Sequence, residues 1–197
     1  MLLGIRKVRF HKKGDEMKVF MRISLAVVIF AALGCFESVK RDMNTPVETV
    51  DFVALGDLTG LWYGIARMPF FFERNCTHTT VEYGLIDEQT ISVTNTCRRN
   101  GETDAVEGQA RVVDSNSNAK FKVRLGRFPG NLFDGDLWVL HIADDARWAV
   151  LGEPTGRYLW VISRTPQMPE RTYERILALI EADGYFVEEL IRVPQGG

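Results

Sequence analysis

Three cysteines and three histidines are the side chains of this 197-residue chain best suited to cross-linking, metal binding or nucleophilic attack. The histidines His11, His78 and His141 form no ligand-spaced cluster with one another or with the cysteines, so no metal site is expected. Cys76 and Cys97 lie outside two apolar stretches, at 83–86 and 91–93, that are separated by the polar break Asp87-Glu88-Gln89. If that break is a hairpin turn, positions whose numbers sum to about 173 face each other, and the two cysteines meet that sum. A disulfide is expected, with two buried free thiols as the alternative. No G-x-S-x-G, H-E-x-x-H, phosphate loop or C-x-x-C occurs. The adjacent acids Asp144-Asp145 and Glu188-Glu189 read as solvated surface. No catalytic residue is assigned and no cofactor is expected.

The charge is unevenly spread. Residues 1–34 carry seven Lys or Arg and two acids, a net of +5, while residues 35–197 carry a net of -7. The basic head runs into Ile23–Leu33, which is apolar apart from Ser24 and is too short to span a bilayer core of about 30 Å. Basic residues before it and small residues after it are the order of a secretory signal peptide. Its end, Ala31-Ala32-Leu33-Gly34-Cys35, resembles a bacterial lipobox, which implies cleavage before Cys35 and acylation of that residue. Several acyl chains on one residue give stable anchoring. Phe36, rather than Asp, follows the cysteine; among lipoproteins that implies the outer membrane. Met17 and Met21 are alternative starts to Met1. The expected organisation is signal peptide 1–34, acylated tether 35–51 and domain 52–194. Composition excludes disorder and coiled coil, and the near-neutral total gives no reason to expect nucleic acid.

From Leu61 onward, apolar stretches alternate with turn signals. They predict strands near 61–68, 78–86, 89–98, 104–113, 119–126, 136–143, 147–152 and 157–163, a pattern of sandwiches and up-and-down barrels. Phe121, Val123 and Leu125 alternate with Lys120, Lys122 and Arg124, so one face is dry and one wet. The parity of the apolar positions places Val81, Tyr83, Leu85, Ile91, Val93, Ala110, Val112, Phe121, Val123, Leu125, Trp138, Leu140 and Ile142 inward. After Pro166 the period changes. Tyr173, Ile176, Leu177 and Ile180 form one stripe of a helix bounded by Pro169 and Gly184. A short last strand is expected within 185–193.

Gly60-Leu61-Trp62-Tyr63, followed by Arg67 and Glu73, matches the G-x-W-Y motif of the lipocalins, and the stretch from Tyr158 to Pro166, with Arg164, matches the last motif of that family. The chain resembles bacterial outer-membrane lipocalins, apolipoprotein D and plant temperature-induced lipocalins over about residues 52–194. The resemblance implies an all-β, eight-stranded antiparallel up-and-down barrel with one C-terminal helix outside it. It also implies a barrel floor built on Gly60, Trp62 and Arg164. Two positions depart from the family: Gly64, where Glu is common, and Ala146, where a Tyr is expected.

The function implied is storage or transport of a fatty acid or lysophospholipid, in a protein anchored through acylated Cys35 to the outer membrane, facing the periplasm and serving membrane maintenance. Val81, Tyr83, Val93, Val112, Phe121, Val123, Trp138 and Leu140 are the expected ligand contacts. Tyr83 and Trp138 lead because each joins apolar bulk to a hydrogen-bond donor. Phe70-Phe71-Phe72 is expected at the mouth, as a greasy lid or buried under loops. Arg98, Arg99 and Arg127 lie near turns, as phosphate attractors or plain surface. The partners expected are the lipid and the membrane; a homodimer is left open. The alternatives are a haem or pigment carrier and a lipocalin-like enzyme acting on a lipid.

Overall fold

The computed structural model describes residues 39–70, 73–126 and 133–196. The signal segment 1–34, Cys35, Phe71, Phe72 and Arg127 lie outside the described residues. A four-residue helix, α1 (Leu55–Leu58), precedes eight strands. These are β1 (Gly60–Arg67), β2 (Thr77–Asp87), β3 (Thr90–Arg99), β4 (Glu102–Val112), β5 (Lys120–Leu125), β6 (Phe133–Ile142), β7 (Trp148–Gly152) and β8 (Leu159–Ser163). Helix α2 (Glu170–Ala182), a 3-10 turn (Val187–Glu189) and the two-residue β9 (Ile191–Arg192) follow. The last is shorter than the strand expected within 185–193. Each of the eight strands pairs antiparallel with the next, and β1 pairs with both β2 and β8, closing the sheet into the expected barrel.

The walls follow from side-chain alternation. In β5, Phe121 and Val123 are buried inward while Lys122 and Arg124 reach water and pair with Asp136 and Asp134 of β6. Where α2 covers the barrel, the alternation disappears. Tyr173, Ile176 and Ile180 of α2 bury against Ile65, Leu140, Val150 and Val161 on the outer face, so strands here are apolar on both sides. The helix ends at Gly184, whose φ of +83° is the left-handed conformation that glycine adopts without strain.

That second apolar layer overturns part of the inward assignment. In β6, Phe121 pairs with Leu137 and Lys120 with Trp138, so Leu137 and Val139 point in while Trp138 and Leu140 point out. Trp138 packs under the Lys120 ammonium, 4.8 Å from the ring centre. A bulge between Val139 and His141 resets the parity, and Ile142 packs against the inner core as expected. Leu85 has inward parity but is 59% exposed, because β2 runs on past Gly60, where β1 begins.

The β2–β3 hairpin also differs in register. Tyr83 faces Val93 and Leu85 faces Ile91, three positions off the expected alignment. A shift between Thr77 and Thr80, with His78 at φ +51°, moves the start of β2 back toward Cys97. Cys76, just before the strand, bonds to Cys97 with Cα atoms 5.4 Å apart. The cross-link is present, although the alignment that suggested it is not. The expected tether is also partly structured. Lys40 N–H donates to the Gly156 carbonyl, Arg41 bridges to Tyr185, and Val50 N–H donates to the Val139 carbonyl.

The disulfide spans a sequence separation of 21, a loop whose closure restricts the unfolded chain by about 3 kcal/mol. Replacing both Cys76 and Cys97 by Ala should lower the urea midpoint by the equivalent of that amount under non-reducing conditions. An unchanged midpoint would contradict it.

Candidate functional site: a sealed floor and an apolar cavity

The floor is built from the start of β1 outward. Gly60 sits at φ +89°, which lets the chain turn sharply into the strand. Two residues on, Trp62 is fully buried and its indole N–H donates to the Leu58 carbonyl of α1 at 2.7 Å. The short helix α1 thereby lies under the barrel, with Leu55 and Leu58 buried against the core. Arg164, just beyond β8, lies with its guanidinium carbon 3.7 Å from the Trp62 ring centre. Its terminal nitrogens donate to the carbonyls of Leu61 at 3.0 Å and Asp57 at 2.7 Å. One arginine therefore ties together α1, β1 and the turn after β8. Its Nε also donates to Ala146 at 3.4 Å. Ala146, the position of the expected Tyr, sits at φ +51° and contributes its carbonyl rather than a side chain.

Above the floor, Val112, Phe121, Ala149 and Ile91 fill the interior around Trp62. Higher up the filling stops and leaves a cavity of about 490 Å³. This is within the usual range for ligand pockets, roughly 300–1,000 Å³. Val81, Tyr83, Val93, Val106, Val123, Leu125, Leu137, Leu151 and Ile162 supply apolar wall. Of the eight expected ligand contacts, Val81, Tyr83, Val93 and Val123 line it. Val112 and Phe121 belong to the filled part beneath, and Trp138 and Leu140 are on the outer face. Burial pushes the Tyr83 phenol well above its ordinary value, so it stays protonated as a donor.

Sequence reasoning missed Leu137, Leu151, Trp160 and Ile162 because both faces of β6, β7 and β8 are apolar. It also missed a buried ion pair at the upper end. Arg67 is only 5% exposed, and its Nε lies 2.8 Å from Glu73 Oε2. Its other nitrogens donate to the backbone carbonyls of Met68 and Glu73. Glu73 Oε1 accepts from the Trp160 indole at 3.2 Å. Burial raises the Glu73 carboxyl above its ordinary value, with Arg67 and then Trp160 opposing, and burial lowers the Arg67 guanidinium, with Glu73 opposing. The available signal was an arginine inside an apolar run, Ile65-Ala66-Arg67-Met68, with an acid six residues later.

Phe70 is buried and lines the cavity, with its ring edge-on to Phe133, Tyr158 and Trp160 at 4.9–5.9 Å. It is part of the wall, packed under its neighbours. Arg99 pairs with Asp104 at 3.0 Å on the rim. Gly64 borders the cavity, and Thr79 fills the space beside it: a Cβ there would meet Thr79 Oγ1 at 2.3 Å. His141 pairs with Asp183 outside the barrel, and His78 hydrogen-bonds Thr77; neither lines the cavity. Among the described residues no cluster of His, Cys, Asp or Glu could hold a metal ion.

A closed antiparallel barrel, sealed at one end by arginine on tryptophan and hollow above it behind mostly apolar walls, defines a container for a small hydrophobic molecule. Residues 53–195 match the family described as Lipocalin-like domain. Temperature-induced lipocalin-1 of Arabidopsis thaliana is 38% identical over 161 residues, covering 79% of this chain and 84% of that protein. Outer membrane lipoprotein Blc of Escherichia coli (strain K12) is 30% identical over 178 residues, covering 88% and 98%. In fold the chain is similar to insecticyanin from the tobacco hornworm Manduca sexta, with TM-score 0.62 at 19% identity, covering 75% of this chain and 83% of that one. The chain belongs to the lipocalin family.

Trp62→Ala removes the floor and should cost about 3–5 kcal/mol in denaturant unfolding. Arg164→Met, which keeps the aliphatic stem, should cost about 1–2 kcal/mol through the lost stacking. A melting temperature unmoved by Trp62→Ala would remove the floor assignment.

Proposed function

We propose that this lipocalin stores or transports a single-chain lipid, a fatty acid or lysophospholipid, in the barrel, and that acylated Cys35 holds it on the periplasmic face of the outer membrane in a role of membrane maintenance. The cavity carries the first half of this reading: it has room for a small molecule behind walls that are mostly apolar, with the charged pair Arg67 and Glu73 among its few polar groups. Burial gains about 0.8 kcal/mol per methylene, so a 16-carbon chain gains roughly 12 kcal/mol gross against water. Against a membrane the gain is far smaller, because the chain has already left water. A cavity of this kind suits exchange with a bilayer better than irreversible capture.

The second half rests on the basic and apolar head, on the Leu33-Gly34-Cys35 junction, and on relatives that are themselves named outer membrane lipoproteins. Among the described residues the cavity wall offers no histidine and no nucleophile beside a base, which favours carriage over turnover.

Trp160 in the cavity wall is an internal reporter. Titration of the mature domain with palmitate or a lysophospholipid should give a saturable change in tryptophan fluorescence. Leu151→Trp, which fills the cavity, should weaken binding at least tenfold. Absence of a saturable signal for every single-chain lipid would overturn the reading. In a bacterial host, Cys35→Ser should move the protein from the outer-membrane fraction to the soluble periplasmic fraction. Unchanged membrane partition would remove the anchor.

A further inference from the structure

The polar upper end of the cavity is unusual in what it leaves unsatisfied. Arg67 and Glu73 form an ion pair that is mostly withdrawn from water, and such a pair is repaid only when its remaining donors and acceptors are used. They are not. Glu73 Oε2 lies 2.8 Å from Arg67 Nε but off the N–H axis, and the buried Nε makes no hydrogen bond. Nη1 and Nη2 each donate to one backbone carbonyl, which leaves further N–H groups in hand. The Glu73 carboxylate accepts a hydrogen bond from Trp160, one of about four that its two oxygens can take. Both charged groups line the cavity.

Beside the carboxylate stand aromatic rings. Phe70, Phe133 and Trp160 all line the same cavity, with Phe70 to Trp160 centres 5.7 Å apart and Phe70 to Phe133 centres 5.9 Å apart. Aromatic faces attract organic cations within about 6 Å, most strongly where water is excluded. A carboxylate next to such rings is a site for an ammonium group. A guanidinium with spare donors a few ångströms away is a site for a phosphate.

Resting on the lipid reading above, we propose that this end of the cavity recognises a zwitterionic lipid head, its organic ammonium on Glu73 and the rings of Phe70, Phe133 and Trp160, and its phosphate on Arg67. A purely anionic head meets the Glu73 carboxylate at low dielectric, and a purely cationic head meets Arg67. Only a head carrying both charges completes the pair without leaving one of them opposed.

Four dodecyl amphiphiles below their micelle concentrations test this by calorimetry: dodecylphosphocholine, dodecyl phosphate, dodecyltrimethylammonium and dodecanol. Dodecylphosphocholine should bind at least tenfold more tightly than either singly charged compound. Glu73→Gln, which keeps an acceptor for Trp160, should weaken dodecylphosphocholine about tenfold and strengthen dodecyl phosphate. The wild-type ranking needs no variant and decides the matter even if Glu73→Gln folds poorly. Equal binding of all four by the wild-type protein overturns the head site and leaves the lipid cavity standing. Binding by none of them overturns both.

Discussion

The Arg164 guanidinium stacked on Trp62 is the contact on which the rest of this molecule depends. Closing a sheet makes a tube, and a tube open at both ends would admit water along its whole length. Trp62 fills the lower bore, and Arg164 holds it there while binding the carbonyls of Asp57 and Leu61. The guanidinium is well suited to this task because it can stack through its face and donate through its edge at the same time. With the floor sealed, the upper bore can stay unfilled by side chains while water is kept from entering from below.

The outer helix has a less obvious consequence. By burying the outer faces of β1, β6, β7 and β8, α2 makes half of the barrel apolar on both sides and leaves β3, β4 and β5 wet on the outside. Stability thus comes from two apolar layers that share the same strands. The lower inner layer and the helix layer need not yield for the upper cavity to accept a guest. This separation lets one small domain carry a stable core and a cavity together, with a charged pair at the cavity's end that would be costly elsewhere.

Much of this was legible beforehand. Turn spacing and alternation in β2 to β5 gave the strands, and their inward residues from Val81 to Val123 are where parity placed them, Leu85 excepted. The stripe of Tyr173, Ile176 and Ile180 gave the helix. Legibility failed where alternation failed. In Leu137-Trp138-Val139-Leu140 every residue is apolar because each is buried or half-buried, two inward and two under the helix or its margin, and no periodicity can sort them. The cysteines were paired correctly through a misplaced alignment: the irregularity at His78 shifts the register by one position of the three, and Cys76, just before the strand, still reaches Cys97.

What the sequence by itself determined are the properties carried by local pattern: the strand order, the outer helix, and the G-x-W tryptophan and its distant arginine. What only the tertiary structure decided are the properties that depend on which elements meet. Helix coverage chose the inner face of β6, β7 and β8. The start of β1 determined that Leu85 would be exposed. Barrel closure brought Arg67 and Glu73 of one edge against Trp160 of β8 and turned residues far apart in sequence into one polar end of a cavity. The physical reason is the same in each case. Burial is a property of pairs of surfaces, and a single strand carries no record of what will cover it.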